Sequence, residues 1–170
     1  AKGGRKGCLI KAPFHIPFAF GLLDQQGRAI SLRYAGSVQE TALLELTAER
    51  QQWTFEDIPS TPVPSLLRDF SAPVIADYDW TEAELTLLSA HDPNPFARWE
   101  AGQELASRHI LNLTTRIQAG QTLTLEPPFI EAWRALLTDP KLDAAYRTRT
   151  LSLPPIKTLA ERMAVVDPLA

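Results

Sequence analysis

The sequence is short of the residues from which thiol and metal chemistry are built. It holds one cysteine and three histidines in 170 residues. A single Cys8 excludes an intrachain disulfide and every zinc-finger spacing, and it fits a reducing, cytoplasmic setting. The histidines stand at positions 15, 91 and 109, so none has a second histidine four residues away and no H-E-x-x-H helix can be assembled. There is no G-x-S-x-G nucleophile elbow. Basic neighbours favour a Cys8 thiolate, but no supporting base lies near it. No apolar run approaches the roughly 20 residues that cross a bilayer, so no membrane insertion is expected. Positive charge is not in excess either: 17 Lys and Arg face 20 Asp and Glu, for a net charge of -3. That balance gives no electrostatic reason to bind nucleic acid or an anionic membrane. The local exception is Lys2, Arg5, Lys6 and Lys11, loosened by Gly3, Gly4 and Gly7, which reads as a flexible N-terminal arm over 1–12.

What is present is enough for a packed core: 45% hydrophobic and 22% charged residues. Two periods divide the chain. Residues 1–78 read as a β-sandwich and residues 79–170 as helices. Segment 14–23 is strand-like, with His15 inside it, and runs into Asp24-Gln25-Gln26-Gly27 and a second strand over 28–34. Gly27 supplies the positive φ of that hairpin. A second hairpin is expected from 41–47 and 51–55, with Trp53 and Phe55 on one face. Pro59, Pro62 and Pro64 interrupt pairing, and short strands over 65–70 and 74–78 complete the sheets. Five or six strands are few for a closed immunoglobulin-like sandwich, so the β part is expected to be incomplete.

At Trp80 the period changes. Thr81 and Glu84 fit a capping box, with Trp80 and Leu85 as a hydrophobic staple, for a helix reaching Ala90. Asn94 and Pro95 open a second helix that Gly120 ends. Its apolar face is read as Phe96, Trp99, Ala106, Ile110, Leu113 and Ile117, with Glu104 and Arg108 as an i,i+4 pair. Pro127 or Pro128 starts a third helix that buries Phe129, Ile130, Trp133, Leu136 and Leu137 until Asp139-Pro140. A fourth spans about 142–151 and a fifth about 156–165. Short Pro-marked connections between antiparallel helices suggest a solenoid-like array. Asp167-Pro168 looks like a further helix start. With a first residue other than Met, this makes the chain read as part of a longer polypeptide.

Carboxylate pairs at Asp77/Asp79, Glu82/Glu84 and Glu100/Glu104 suit helix starts and solvated faces better than acid–base work. The four tryptophans are spread out and read as core anchors.

Two strings are more specific: Val63-Pro64-Ser65-Leu66-Leu67-Arg68-Asp69-Phe70-Ser71-Ala72-Pro73-Val74, and Asn94-Pro95-Phe96-Ala97-Arg98-Trp99-Glu100-Ala101-Gly102-Gln103. With Pro13-Phe14-His15-Ile16-Pro17 and Gly21-Leu22-Leu23-Asp24, they closely resemble the bacterial-type aminopeptidase N family. These are zinc metallopeptidases of the thermolysin-like gluzincin kind. The resemblance runs in order from Pro13 to Pro168. It implies a four-part enzyme that removes N-terminal residues from peptides, of which this chain matches the small β-sandwich and the opening of the C-terminal helical domain. Its partners would be the catalytic domain and the remaining helices of the same polypeptide. The family's zinc ligands, substrate-amine motif and catalytic Tyr belong upstream. No catalytic, metal or substrate-binding residue is carried over, and no zinc is expected on this chain. The candidates it offers are structural, at the junction: Arg68 with Asp69 as an ion pair, and Arg98 on a junction carboxylate with Trp99 packed inward. A site-level alternative has Arg68 or Arg98 reach the substrate cavity. A reading from another class is a free-standing sandwich and solenoid module that grips a peptide or protein partner.

Overall fold

The computed structural model describes residues 14–125, 127–140, 142–163 and 166. The basic arm, Cys8 and the Asp167-Pro168 helix start lie outside the described residues. Strand β1 (Ile16–Leu23) is the axis of the β part. Phe20 pairs with Ala42 on one edge and Leu66 on the other, and Leu22 pairs with Ile30 and Pro64. One edge of β1 therefore carries β5 (Ala42–Leu46) and β2 (Ala29–Ile30) end to end, and the other carries β6 (Val63–Leu66); all are antiparallel. The expected 28–34 strand breaks at Ser31. Beyond it β3 (Leu32–Tyr34) leaves to pair with β4 (Ser37–Gln39) in a second sheet. Ala35 and Gly36 both take positive φ, as a two-residue hairpin turn requires.

Period 2 along β1 sorts its side chains between two cores. Leu22, with Phe18 and Phe20, faces Ile30, Leu32, Ala42 and Leu44, while Tyr34, Trp53, Phe55 and Ile58 close over them. Leu23 faces the opposite way, into a cluster with Val63, Leu85, Leu88, Ala101 and Leu105. The sheet thus shares one core with itself and another with the helices.

Several sequence expectations fail here. Segment 51–55 is not a strand, although Trp53 and Phe55 do face the core together. The Gln51 side chain takes the hydrogen bonds a partner strand would make: its amide donates 2.8 Å to the Glu45 carbonyl and accepts 3.0 Å from Thr47 N–H. Segment 65–70 pairs only to Leu66, and 74–78 forms no strand. Pro64 does not break β6; it is tolerated because β6 is an edge strand, and its carbonyl accepts from Trp80 Nε1 at 3.0 Å. His15 falls just before β1 and is exposed.

The helices are α1 (Glu82–His91), α2 (Pro95–Gln118), α3 (Pro127–Thr138), α4 (Ala144–Thr150) and α5 (Ile156–Glu161). The capping box forms: Thr81 Oγ accepts from Glu84 N–H at 3.2 Å and Glu84 Oε2 accepts from Thr81 N–H at 2.7 Å. Asn94 Oδ1 caps α2 by accepting from Ala97 N–H at 3.0 Å, with Pro95 at the first helical position. Gly120, at φ 67°, closes it: Gly120 and Gln121 N–H return to the Ile117 and Arg116 carbonyls. Of the stripe read from the sequence, Ala106 is buried and the other five residues are not. The buried face is Ala97, Ala101, Leu105, Ala106 and Ser107, with Ile117 41% exposed. Small residues let α1 approach closely, and that approach selects the face. In α3 Leu136 is buried, whereas Ile130 and Leu137 are 38% and 55% exposed.

Two glycines make the packing testable. A Cβ at Gly21 would collide with the Arg68 guanidinium, which is held by hydrogen bonds and cannot swing away. Gly21→Ala should cost about 2–4 kcal/mol. A Cβ at Gly102, inside α2, meets only Ser89 Cβ at 3.9 Å. Gly102→Ala should therefore stabilise by about 0.5–1 kcal/mol. Urea denaturation midpoints check both, and a neutral Gly21→Ala would contradict the packing.

Candidate functional site

The string Pro64 to Val74 folds into a corner. Leu67, Asp69 and Phe70 all take left-handed backbone angles, at φ 51°, 55° and 54°. Such angles are costly for residues with a Cβ and persist only where the surroundings impose them. Their effect is to turn Arg68 inward, where it is 1% exposed. Its Nε donates to Ser65 Oγ at 2.8 Å. One terminal nitrogen donates to the Glu40 carbonyl at 2.8 Å and to Thr41 Oγ1 at 2.9 Å. The other faces Asp92 Oδ1 at 3.4 Å. The guanidinium lies over Gly21.

Asp92 is 2% exposed and ends α1. Its Oδ1 also accepts from Asn94 N–H at 2.8 Å, which shapes the link into α2. Burial pushes its carboxyl above the ordinary aspartate range, against the opposing pull of the Ser65 hydroxyl, the Arg68 charge, the Asn94 amide and the Arg98 charge.

Asp69 is not the partner of Arg68. Its carboxylate points outward and accepts from Asn94 Nδ2 at 2.7 Å, while its N–H donates to Asn94 Oδ1 at 3.2 Å. Asn94 thus caps α2 and clips the corner with the same side chain. Arg98 donates 2.9 Å to the Ser89 carbonyl and pairs with Asp139 at 3.5 Å, so it joins the end of α1 to the α3–α4 link rather than to the sandwich. Trp99 is half-buried against Phe96, with the Arg149 guanidinium 5.1 Å from its ring centre. Phe96 in turn meets Phe70 of the corner at 5.4 Å. The four candidates therefore split: Arg68 and Asp69 lie at the sandwich–helix joint, Arg98 and Trp99 within the helices. Arg68 is enclosed by its partners, and Arg98 is held between Ser89 and Asp139. Sequence reasoning missed Asp92, Ser65 and Thr41. For Asp92 the available signal was its place two residues before a helix cap in Asp92-Pro93-Asn94-Pro95, a spacing that suits an Asx turn.

A second ionic cluster ties α2 to the last helix. Glu104 accepts from Arg108 at 2.7 Å and is held by both terminal nitrogens of Arg162, at 2.9 and 3.0 Å. Burial alone would raise its carboxyl, but the hydrogen bonds from Arg162 and Arg108, with their charges, hold it below the ordinary glutamate range. Glu100, one turn earlier, is pushed up by burial and by the Glu104 charge.

Among the described residues no three His, Cys, Asp or Glu side chains are placed to hold a metal ion. His15 is exposed, 3.8 Å from Glu45. His91 ends α1, packed over Gly27. His109 is half-buried between Glu82, 3.0 Å away but outside hydrogen-bond geometry, and the Phe129 ring at 4.5 Å. These residues do not fit a zinc site. Among the described residues no helix is long and apolar enough to cross a membrane.

Two predictions follow from the charges. Arg68→Met or Asp92→Leu alone strands a buried charge and should cost about 3–5 kcal/mol, whereas the double replacement should recover most of that loss. A double variant as unstable as the sum of the singles would refute the pairing. Glu104 keeps its proton less readily folded than unfolded. Its contribution is therefore complete above the unfolded value and lost as pH falls through the lower folded value. Glu104→Gln should flatten the acid limb of stability between neutral pH and about pH 3, measured by urea midpoints.

Known proteins share this arrangement. The family described as "Domain of unknown function (DUF3458) Ig-like fold" matches residues 4–79, and that described as "Domain of unknown function (DUF3458_C) ARM repeats" matches residues 82–170. The chain is 39% identical to aminopeptidase N of Escherichia coli over 160 residues, 94% of this chain and 18% of that protein. It is 33% identical to aminopeptidase N of Haemophilus influenzae over 158 residues, 93% of this chain and again 18% of the relative. The chain thus spans less than one-fifth of the length of these curated relatives. The crystal structure of Legionella pneumophila aminopeptidase A in complex with aspartic acid superposes with a TM-score of 0.73 at 34% identity, over 90% of this chain and 17% of that one. An immunoglobulin-like sandwich followed by an armadillo-type helical array is therefore the fold, and the chain belongs to the DUF3458_C family of ARM repeats.

Proposed function

We propose that this chain is the non-catalytic joint of a zinc aminopeptidase, the piece that sets a helical cap at a fixed angle to a catalytic domain in the same polypeptide. The observation that carries this reading is the 39% identity to an aminopeptidase N across 94% of the chain. Residues 1–78 would form the sandwich and 79–170 the first helices of the cap. The Arg68–Asp92 joint supports that division of labour: it offers no reactive group, yet it couples β6, the loop before β5 and the α1–α2 link in one buried contact. The metal-activated water of the parent would be held by residues outside this chain. Its substrates would be peptides with a free N-terminus, and the lone Cys8 supports a cytoplasmic setting.

The test is an aminoacyl-arylamide assay with added zinc, run on this chain and on the full polypeptide that contains it. The full polypeptide should turn over the substrate and lose activity to a chelator, while this chain alone stays silent. Metal-dependent turnover by the isolated chain would sink the proposal, as would a full polypeptide with no peptidase activity.

A further inference from the structure

Helix α1 is pinned to the sandwich at both ends. At its C-terminal end the pin is Asp92 on Arg68. At its N-terminal end the pin is Trp80, which stands just before the Thr81 cap and donates its indole Nε1–H to the Pro64 carbonyl of β6 at 3.0 Å. The ten residues of α1 separate the two pins by about 15 Å. One pin alone would leave the helix a pivot; two fix its direction against the sheet.

The pins differ in what holds them. Arg68 draws its partners from the sandwich and the end of α1. Trp80 is steered from further away. Its carbonyl accepts from Arg108 Nη1 of α2 at 2.6 Å. Arg108 Nε is held in turn by Glu104 Oε1 at 2.7 Å. Both oxygens of Glu104 are gripped by Arg162, the C-cap residue of α5, at 2.9 and 3.0 Å. Hydrogen bonds thus run without a gap from the sandwich edge, through Pro64, Trp80, Arg108 and Glu104, to Arg162 at the end of α5. A lone exposed ion pair is worth little. Here, however, one half-buried carboxylate takes two guanidinium groups, one of them two-pronged. Apolar packing also touches Trp80, through the Tyr78 ring at 4.8 Å and the Leu23, Val63 and Leu85 cluster. Packing has no direction, so it would let the ring slide where the indole bond does not.

We propose that this run of hydrogen bonds is a conditional lock: docking of α5 on α2 orients Glu104 and Arg108, which hold Trp80 on β6, so that the seating of the last helix sets the angle between sandwich and helices. The coupling is reciprocal, as any coupling between two sites must be. The lock goes beyond a passive joint, and it stands or falls whether or not the longer protein is a peptidase.

Hydrogen exchange of the four indole N–H groups, followed by NMR on this chain, tests the lock. Trp80→Phe assigns the Trp80 signal. Arg162→Met cuts the far end of the run at an exposed position. It should speed exchange at Trp80 Nε1 by about tenfold, the loss of one charge-assisted contact, while the amides shared by β1 and β5 keep their protection. Arg108→Met should do the same, and adding Arg162→Met to it should change nothing further, because the run is already cut. Unchanged Trp80 exchange in Arg162→Met would overturn the proposal, as would effects of the two replacements that multiply. So would exchange that rises equally in the β1 and β5 amides. If Arg162→Met does not fold, Arg162→Gln takes its place with the same expectation and the same refutations.

Discussion

The structure turns on one buried cation. A guanidinium withdrawn from water must place its five N–H groups on acceptors in a flat fork, or its burial is ruinous. Arg68 places four of the five on a hydroxyl from the strand just before it, a carbonyl and a hydroxyl from the loop before β5, and a carboxylate at the end of α1. It also needs a floor without a side chain, which Gly21 supplies in the middle of β1. The left-handed angles at Leu67, Asp69 and Phe70 follow from the same requirement. Each is worth of order 1 kcal/mol or more against folding, and only a contact of this strength at the turn keeps them in place.

From that contact the constraint spreads into the helices through three consecutive positions. Asp92 stops α1 and faces Arg68; Pro93 stiffens the link; Asn94 starts α2 and holds the corner by two hydrogen bonds to Asp69. The link that ends one helix and begins the next is therefore also the link bolted to the sandwich. Phe70 against Phe96 extends the seam, and Arg98 carries it from α1 to the α3–α4 connection. Glu104, gripped by Arg108 and Arg162, then brings the end of the described helices back onto α2.

Features that depend on neighbours in sequence were legible in the sequence, and features that depend on neighbours in space were not. The Thr81–Glu84 box, the Asn94 cap, the Gly120 stop and the Gly27 turn each close within a few residues, and each was readable as a pattern. The Glu104–Arg108 pair was readable for the same reason. The partner of Arg68 was not, because Asp69 is adjacent and Asp92 is 24 residues away. Only the left-handed angles reveal that the adjacent carboxylate is turned outward. The α2 face was misread, except at Ala106, because helical spacing alone fits more than one face of a long helix. At a close helix crossing, alanines are buried and larger residues are pushed to the sides. The 51–55 strand was misread because a glutamine side chain can imitate a strand, and no alternation of polar and apolar residues reports that.

The nature of the contact also bears on what it is for. Apolar burial is strong but has no direction, so the Leu23, Leu85 and Leu105 cluster could hold sandwich and helices together over a range of angles. A guanidinium fork has direction: displacing it by an ångström breaks several bonds at once and leaves a charge uncompensated. Buried ion pairs seldom add net stability over well-packed apolar residues of the same volume. Arg68 and Asp92 are thus poorly explained as glue and well explained as a means of fixing one angle among the many that the apolar core would tolerate. On the proposed reading that angle is the product this piece contributes, since a cap placed over a distant catalytic domain is moved through a long lever by a small rotation at its joint.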